Sequence, residues 1–521
     1  MKLSNLLEAL KPVRDGRSEV RDPDIDIGSI HYRAQEVKPG GLFVAVAGHV
    51  ADGHDFIDEA LARGASAIVA EKQIKKDSII IEVENSRKAL ALISARFYEN
   101  PSEKLFIIGI TGTNGKTTTA FLIENLLLKA GFKVGSIGTI NYRYSGKTFN
   151  SSMTTPESAD LQKILSDMRK TGITHVVMEV SSHAVDLNRI DCCWMDIGIY
   201  TNLSQDHLDY YGDMDSYWAG KKKFFIDHLV SGPKKGLATA VINCMDDRGR
   251  ELEAALCKLP LSIISTGRSG DVMIRPGNIK YNPAGIAGDI STPSGTFDFI
   301  SPLVGGYNLE NILCAAGVGI ALNLPFAVIK AGMENFPGVP GRLERIKNDV
   351  GRFVFVDYAH TPDALENVLL ALKAVTTSRI ICVFGCGGDR DKEKRPLMGE
   401  IAGKLCDLVM ITSDNPRTEL PMKIIDRILH GIKKVSSCEY SPQDLKTGFG
   451  NNKGYIIEPD RQKAIRLGIT ASSPGDTVLI AGKGHETYQI IGEKKLSFDD
   501  RIEAEKALTQ LTVSSRQPGE P

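Results

Sequence analysis

Tryptophan is almost missing from this chain, with two residues in 521, and the nine cysteines contain no Cys-x-x-Cys pair. Their odd number and scatter argue against a disulfide framework, and the adjacent Cys192-Cys193 cannot easily chelate one metal ion. They are read as reduced, mostly buried thiols. No segment approaches the roughly 20 consecutive apolar residues of a membrane-spanning helix. The opening Met1-Lys2-Leu3-Ser4-Asn5-Leu6-Leu7 has neither the apolar core nor the small-residue cleavage site of an export signal, so a cytoplasmic location is expected. A charge imbalance is missing too: 63 Lys and Arg face 64 Asp and Glu, interspersed along the chain. That removes the general electrostatic case for nucleic acid or a membrane surface as partner. Any anionic ligand must be held by local groups.

What is present is length and alternation. At roughly 100–200 residues per domain the chain has room for three or four compact units. Residues 1–97 mix short β-like runs, Gly41–Val46, Ala67–Ala70 and Ile79–Val83, with a helical stretch at Phe56–Arg63. Asn100-Pro101-Ser102 punctuates the chain before a fresh strand at Leu105–Ile110. From there strands and helices alternate to Pro340, implying a mostly parallel sheet with helices on both faces. Phe336-Pro337-Gly338-Val339-Pro340-Gly341 reads as a second linker. Beyond it Phe353–Val356, Ile380–Phe384, Leu408–Thr412 and Thr477–Ala481 are buried-strand candidates of a second doubly wound domain, 341–511. The polar, aperiodic 512–521 reads as a disordered tail. The fold class is α/β.

The apolar run Leu105–Ile110 feeds Thr111-Gly112-Thr113-Asn114-Gly115-Lys116-Thr117-Thr118-Thr119, after which a helix begins. Glycines let backbone N–H groups approach phosphate oxygens, and the following helix offers its positive end. Lys116 is placed on the terminal phosphates and the Thr117 hydroxyl on magnesium. Ile110 stands where the general phosphate-loop pattern has its first glycine. The loop alone does not separate a ligase from a kinase, a GTPase or a nucleotide-binding switch.

His175-Val176-Val177-Met178-Glu179 is a strand ending in a carboxylate, where nucleotide-phosphate enzymes set an acidic group against magnesium. Tyr200-Thr201-Asn202-Leu203-Ser204-Gln205-Asp206-His207-Leu208-Asp209 follows another apolar strand, and His207 is a possible metal ligand through neutral imidazole. Lys221, among Lys221-Lys222-Lys223, reads from composition as one of three solvated lysines.

Thr111–Thr117, Glu179–His183, Thr201–Asp209, Asn308-Leu309-Glu310-Asn311, Gly341-Arg342-Leu343-Glu344 and Asp357-Tyr358-Ala359-His360-Thr361-Pro362 occur in the order typical of Mur ligases, which the chain resembles up to its tail. The resemblance implies three domains: a UDP-binding α/β domain (1–97), a central phosphate-loop ATPase-like parallel-sheet domain (98–340) and a Rossmann-like amino-acid domain (341–511). It implies ATP with two Mg2+ ions, held by Thr117, Glu179, His207 and a carbamylated Lys221. An unmodified ammonium has only donors and cannot serve as a ligand. Gly112, Thr113, Asn114, Gly115, Lys116, Thr117 and Thr118 then hold phosphate, Asn308 contacts adenine, Arg342 the phosphates, and Asp357 the ribose and magnesium region. From position alone, Asn308 also fits a helix N-cap.

By the same resemblance Ser29 and Arg33 belong to the uridine-binding region, where His31-Tyr32-Arg33 departs from the usual Asp-Ser-Arg. Thr154, Thr155, Ser181 and Arg189 match positions that hold the muramoyl dipeptide. Asp414-Asn415-Pro416-Arg417 resembles ligases that take meso-diaminopimelate, whose extra carboxylate Arg417 could clamp with paired charge-assisted hydrogen bonds. Arg390, Gly482 and Glu486 match further contacts to the amino acid. Gly385-x-Gly387 lacks the third glycine of a dinucleotide fingerprint, Arg390 standing there, which argues against NAD. The expected activity is ATP-dependent ligation of meso-diaminopimelate to the D-glutamate γ-carboxylate of UDP-N-acetylmuramoyl-L-alanyl-D-glutamate through an acyl phosphate, by a monomer.

Overall fold

The computed structural model describes residues 1–10, 22–48, 51–151, 153–447 and 452–516. They fall into two compact units: Met1–Pro276 with Ile290–Thr296 and Glu310–Gly332, and Gly277–Asp289, Phe297–Leu309 and Met333–Pro521.

The first unit opens with a four-stranded parallel sheet of β1 (Ser29–His31), β2 (Gly41–Val44), β3 (Ala65–Ala70) and β4 (Ile79–Glu82), in that order. Successive strand side chains point to opposite faces. Leu42, Val44, Ala67 and Val69 accordingly pack with Leu3, Leu6, Leu90 and Ile93 on one side. Phe43, Ile68 and Ala70 pack with Ile57 and Ala60 on the other.

The same unit contains an eight-stranded sheet built from β5 (Phe106–Thr111), β6 (Val134–Ile137), β7 (Asn141–Tyr144), β8 (Lys147–Asn150), β9 (His175–Glu179), β10 (Ile197–Tyr200), β11 (Thr239–Asn243) and β12 (Ser262–Thr266). Its order is β12-β11-β10-β5-β9-β6-β7-β8, and only β7 runs against the others, so that its pairings with β6 and β8 are antiparallel. Continuous apolar runs such as Ile107–Ile110 are what a parallel strand covered on both faces requires. The register sets the carboxyl ends of β10, β5, β9 and β6 side by side, where ligands gather in such sheets. Farther along the chain β13 (Arg275–Asn282), β14 (Gly285–Thr292) and β15 (Gly295–Ser301) form a three-stranded sheet in that order.

The second unit is centred on β16 (Glu344–Ile346), β17 (Phe353–Asp357), β18 (Ile380–Phe384), β19 (Leu408–Ile411), β20 (Cys438–Glu439), β21 (Gly454–Ile457) and β22 (Thr477–Ala481). Their order is β16-β17-β22-β18-β19-β21-β20, with only β16 antiparallel. Phe355, Phe384, Ile411 and Leu479 face one helical layer, and Val354, Val383, Met410 and Ile480 face the other. A hairpin of β23 (Tyr488–Ile491) and β24 (Lys494–Ser497) follows.

Two expectations change. The tail was read as starting at 512, but the last helix, Asp500–Arg516, continues through 512–516. Ala504, Ala507 and Leu508 dock into the core, and the nucleated helix carries on past them, with the Thr512 hydroxyl donating to the Leu508 carbonyl. Residues 517–521 lie outside the described residues. Asn308 is not an N-cap, because its helix begins at Gly306; its Nδ2 donates backwards to the Val304 carbonyl at 2.7 Å. All nine cysteines are free, six of them buried. Among the described residues no helix is long and apolar enough to cross a membrane.

Candidate active site

The loop after β5 needs its glycines. Gly112 has φ +145°, and a Cβ there would lie 1.9 Å from Thr201 Oγ1; Gly115 has φ +84°, and a Cβ would lie 2.3 Å from Asn311 Oδ1. The loop is tied to the segment after β10: Asn114 N donates to Asn202 Oδ1 at 2.9 Å, Asn114 Nδ2 to Ser204 Oγ at 3.0 Å, and Thr201 Oγ1 to Asn114 O at 2.6 Å. Thr113 Oγ1 donates to Ser204 O. The helix Lys116–Lys129 starts at Gly115 with no side chain capping it. The helix thus presents its positive end directly after the glycine loop, the place where anions are held at helix N-termini. Lys116 Nζ lies over the loop, 2.8 Å from both Gly112 O and Thr113 O.

Glu179, closing β9, is buried and does not face solvent. Its carboxylate accepts from Thr117 Oγ1 at 3.0 Å, Thr139 N at 3.0 Å and Thr139 Oγ1 at 2.9 Å. Thr139 went unnoticed in the sequence; it follows β6, next to β9, and its position at a strand's carboxyl end was the available signal. Its hydroxyl also bonds Thr154 Oγ1 at 3.1 Å. The Thr117 hydroxyl and the Glu179 carboxylate are hard oxygen donors side by side, the set magnesium takes from protein while keeping waters. They fit the ion.

Lys221 is not solvated. It is 2 % exposed, whereas Lys223 is exposed, because Lys221 shares the inner face of helix Met214–Lys223 with Tyr217, one turn earlier. Its Nζ donates to Gly112 O at 2.9 Å and sits 4.4 Å from the Tyr217 ring centre. Burial first, and the Lys116 charge second, pull its pKa well below the usual lysine range. His207 is exposed, in left-handed backbone with φ 54°, and packs edge-on against Tyr217 at 5.7 Å and His183 at 4.8 Å. Tyr217 thus touches both His207 and Lys221. Among the described residues no three His, Cys, Asp or Glu side chains form a ready-made metal cluster. A second ion would need a carboxylate that Lys221 in its amine form does not supply.

Thr155 Oγ1 donates to Glu179 O at 2.8 Å and accepts from Ser181 N at 3.1 Å, while Ser181 Oγ caps the helix Ser182–Asp186. Arg189 shares the buried Glu157 with Arg87, at 3.4 and 3.2 Å, so two guanidinium groups meet one carboxylate beside Thr155. At β1, His31 Nε2 meets Ser29 Oγ at 2.7 Å, and Arg33 pairs with Glu36. The unusual Tyr32 donates its hydroxyl to Asp160 at 2.6 Å; burial, then that carboxylate, push the phenol far above its usual pKa.

The second unit gathers its own group at the carboxyl ends of β17, β22, β18 and β19. Asp357 is buried and accepts from Leu343 N at 2.6 Å and Ala359 N at 2.8 Å; burial raises its pKa and Arg342 opposes the rise. Arg342 lies 5.1 Å from the Tyr358 ring centre. Gly388 carries the Asn415-Pro416-Arg417 loop on its backbone, since a Cβ there would fall 1.9 Å from Pro416 O. Arg417, with φ 50°, donates Nη1 to Gly388 O at 2.8 Å. Among the described residues neither Arg417 nor the exposed Arg390 has an ion-pair partner; Arg390 donates to Asp389 O at 3.4 Å. Asn415 donates Nδ2 to Glu486 Oε2 at 3.0 Å, and Gly482, φ +118°, passes so near Asp414 that a Cβ would lie 2.7 Å from Oδ2. The sequence reading gave Lys483 no role, although it is fully buried in this group.

Three family models match in succession: Mur ligase family, catalytic domain, over 26–98; Mur ligase middle domain over 110–319; and Mur ligase, glutamate ligase domain, over 341–484. Among relatives, a UDP-N-acetylmuramoyl-L-alanyl-D-glutamate--2,6-diaminopimelate ligase of Geobacter metallireducens is 45 % identical, covering 98 % of this chain and 99 % of its own. One of the same name from Geobacter sulfurreducens is 44 % identical, covering 97 % and 98 %. A solved structure with that name is 29 % identical with a TM-score of 0.72, covering 98 % of this chain and 99 % of its own. A D-alanyl-D-alanyl-adding ligase from Acinetobacter baumannii, 17 % identical with a TM-score of 0.60 over 98 % of each chain, shares the fold. With three models matched in order along the chain and near-complete relatives at this identity, the protein belongs to the Mur ligase family of ATP-dependent amide-bond-forming enzymes.

Proposed function

We propose that the protein joins meso-diaminopimelate to the D-glutamate γ-carboxylate of UDP-N-acetylmuramoyl-L-alanyl-D-glutamate, at the cost of ATP, in peptidoglycan synthesis. Arg417 carries this choice: its guanidinium has no carboxylate partner among the described residues and lies against the backbone carbonyls of Gly388 and Asn415. Diaminopimelate differs from lysine by one carboxylate, the group such an arginine binds. The names of the relatives at 44–45 % identity agree.

Forming an amide from a carboxylate in water is uphill, so the γ-carboxylate is first phosphorylated by ATP to an acyl phosphate. The positive N-terminal end of helix Lys116–Lys129 and the Lys116 ammonium hold the phosphates and neutralise charge on the transferring group. Thr117 and Glu179 would hold one magnesium ion, and His207 with a carbamylated Lys221 a second; when bound, the ions would add to the neutralisation of that charge. Lys221 reacts as the neutral amine its burial favours, adding to carbon dioxide with release of one proton. Asn308, Arg342 and Asp357 complete the nucleotide contacts, Gly112 to Thr118 the phosphate cradle. Thr154, Thr155, Ser181, Arg189 and Ser29 hold the UDP-dipeptide, and Arg390, Asp414, Asn415, Pro416, Arg417, Gly482 and Glu486 the amino acid, whose free amine displaces phosphate through a tetrahedral intermediate. In this reading residues 1–97, 98–340 and 341–511 are the UDP, ATP and amino-acid domains of a cytoplasmic monomer.

Phosphate release is measured with ATP, magnesium and the UDP-dipeptide, alone and with diaminopimelate, lysine or D-alanyl-D-alanine. Release dependent on diaminopimelate is expected. Release with lysine at equal efficiency would overturn the choice of substrate.

A further inference from the structure

Lys483 has no exposed surface, and no step above uses it. It sits between Gly482 and Gly484, with φ +118° and +53°, a double left-handed bend that returns the chain toward the loop after β19. Its Nζ lies 3.1 Å from Asn415 Oδ1, 3.1 Å from Glu486 Oε2 and 3.7 Å from Asp414 Oδ1. Asn415 Oδ1 also accepts from Ile490 N at 2.9 Å, and Asn415 Nδ2 donates to the same Glu486 Oε2 at 3.0 Å. An ammonium and a backbone N–H only donate. Two such donors at one end of the Asn415 amide therefore fix that end as oxygen and turn the NH2 group onto Glu486. Without the ammonium the Ile490 N–H is left to select between the two amide orientations, and Glu486 loses its ion pair with Lys483.

The roots of both loops are braced from beneath. Arg461, fully buried against Asp500 with contacts of 2.7 and 2.6 Å, donates to Ser413 O at 3.3 Å and to Ala481 O at 3.0 Å. These carbonyls lie just before Asp414 and Gly482. The backbone is thus held independently of Lys483, which leaves the ammonium to order side chains.

We propose that Lys483 is a positioning residue for the amino-acid substrate: it sets the Asn415 amide and the Glu486 carboxylate in the one arrangement that receives the incoming amino acid. This rests on the reading that Asn415 and Glu486 bind that substrate. Two carboxylates, Asp414 and Glu486, around one ammonium also leave one negative charge for an ammonium group of the ligand.

The test is a double-mutant cycle on the full chain, with Lys483→Met, Glu486→Gln and both, reading KM for diaminopimelate, ATP and the UDP-dipeptide together with thermal midpoints. Lys483→Met is expected to raise KM for diaminopimelate tenfold or more while the other two KM values stay within about twofold, since a mismatch of this size costs about 1.4 kcal/mol. In the Glu486→Gln background the same substitution should add at most about twofold. Should Lys483→Met not fold, Lys483→Gln, which keeps a donor at similar reach, is read in the same cycle. A wild-type KM for diaminopimelate in a folded variant, a parallel rise of all three KM values, or full additivity with Glu486→Gln would each overturn the proposal. Absence of diaminopimelate-dependent phosphate release in the wild type, or a wild-type KM in Glu486→Gln, overturns the parent reading and this one with it.

Discussion

Lys116 and Lys221, 105 residues apart, donate to one and the same carbonyl, that of Gly112, at 2.8 and 2.9 Å. Two ammonium groups on one acceptor, one of them buried, is an unfavourable arrangement for the charged form of the buried one. Burial first, and then the Lys116 charge that shares this carbonyl, lower the pKa of the lysine proposed to be carbamylated.

Lys221→Ala is expected to abolish ligation, with short-chain carboxylates restoring part of it by occupying the vacated site. Full activity of the unsupplemented variant would show Lys221 to be dispensable. Stability should move the other way. With the folded pKa lowered, the unfolded chain binds more protons in the interval below the usual lysine value, so wild-type stability rises with pH there. Lys221→Met lacks this dependence, and its advantage in thermal midpoint over wild type should shrink as pH rises toward the usual lysine value. A constant difference across that range would contradict the burial argument.

Lys116→Ala removes the charge proposed to face the transferring phosphoryl group. Loss of one such preorganised group lowers turnover by about 10²–10³-fold. The wild-type fold should persist, because the loop glycines and the Asn114 and Thr201 bonds remain. Turnover near the wild-type value with ordinary nucleotide dependence would reduce Lys116 to a loop-shaping residue.

How far the site was legible depended on how local its determinants are. The glycine loop and Glu179 follow apolar strands directly, so spacing and strand ends marked them as candidates, whereas Asp414–Arg417 was singled out by its resemblance to Mur ligases. Lys221 did not differ from Lys222 and Lys223 in composition; only the packing of Tyr217, one turn earlier, selects which of the three turns inward. Thr139 meets Glu179 across 40 residues of chain, a contact set by β6 lying beside β9, an order the sequence does not spell out. Lys483 meets Asn415 across 68 residues of chain, a contact that local sequence does not spell out. The helix beyond 511 was missed because its docking residues, Ala504, Ala507 and Leu508, precede the polar stretch they support.

Thr139→Val tests whether that unforeseen threonine holds Glu179. The substitution keeps shape but deletes the hydroxyl that donates to the buried carboxylate at 2.9 Å. A hydrogen bond to a charged group contributes about 1.5–3 kcal/mol. A lower thermal midpoint and a higher magnesium concentration for half-maximal phosphate release are expected together. A changed midpoint with an unchanged magnesium requirement would assign Thr139 to folding alone.

Arg417 is where geometry bears most directly on substrate choice. Its left-handed backbone and its bonds to the backbone, Nη1 to Gly388 O and N to Ile490 O, hold the guanidinium in place without neutralising it. If that charge receives the distal carboxylate of diaminopimelate, Arg417→Ala leaves the carboxylate unpaired in a partly desolvated pocket, a loss of about 2–5 kcal/mol. The efficiency for diaminopimelate should fall accordingly, by about tenfold for each 1.4 kcal/mol. Lysine has no such carboxylate, so its poor use should change little, and the ratio of the two efficiencies collapses from one side. Both kcat/KM values are measured for wild type and variant. An undiminished preference for diaminopimelate in Arg417→Ala would move the discrimination to Arg390, whose Cγ stands 3.7 Å from where a Gly387 Cβ would be, opposite Arg417 Nη1 at 3.1 Å. Arg390→Ala would then show the collapse instead.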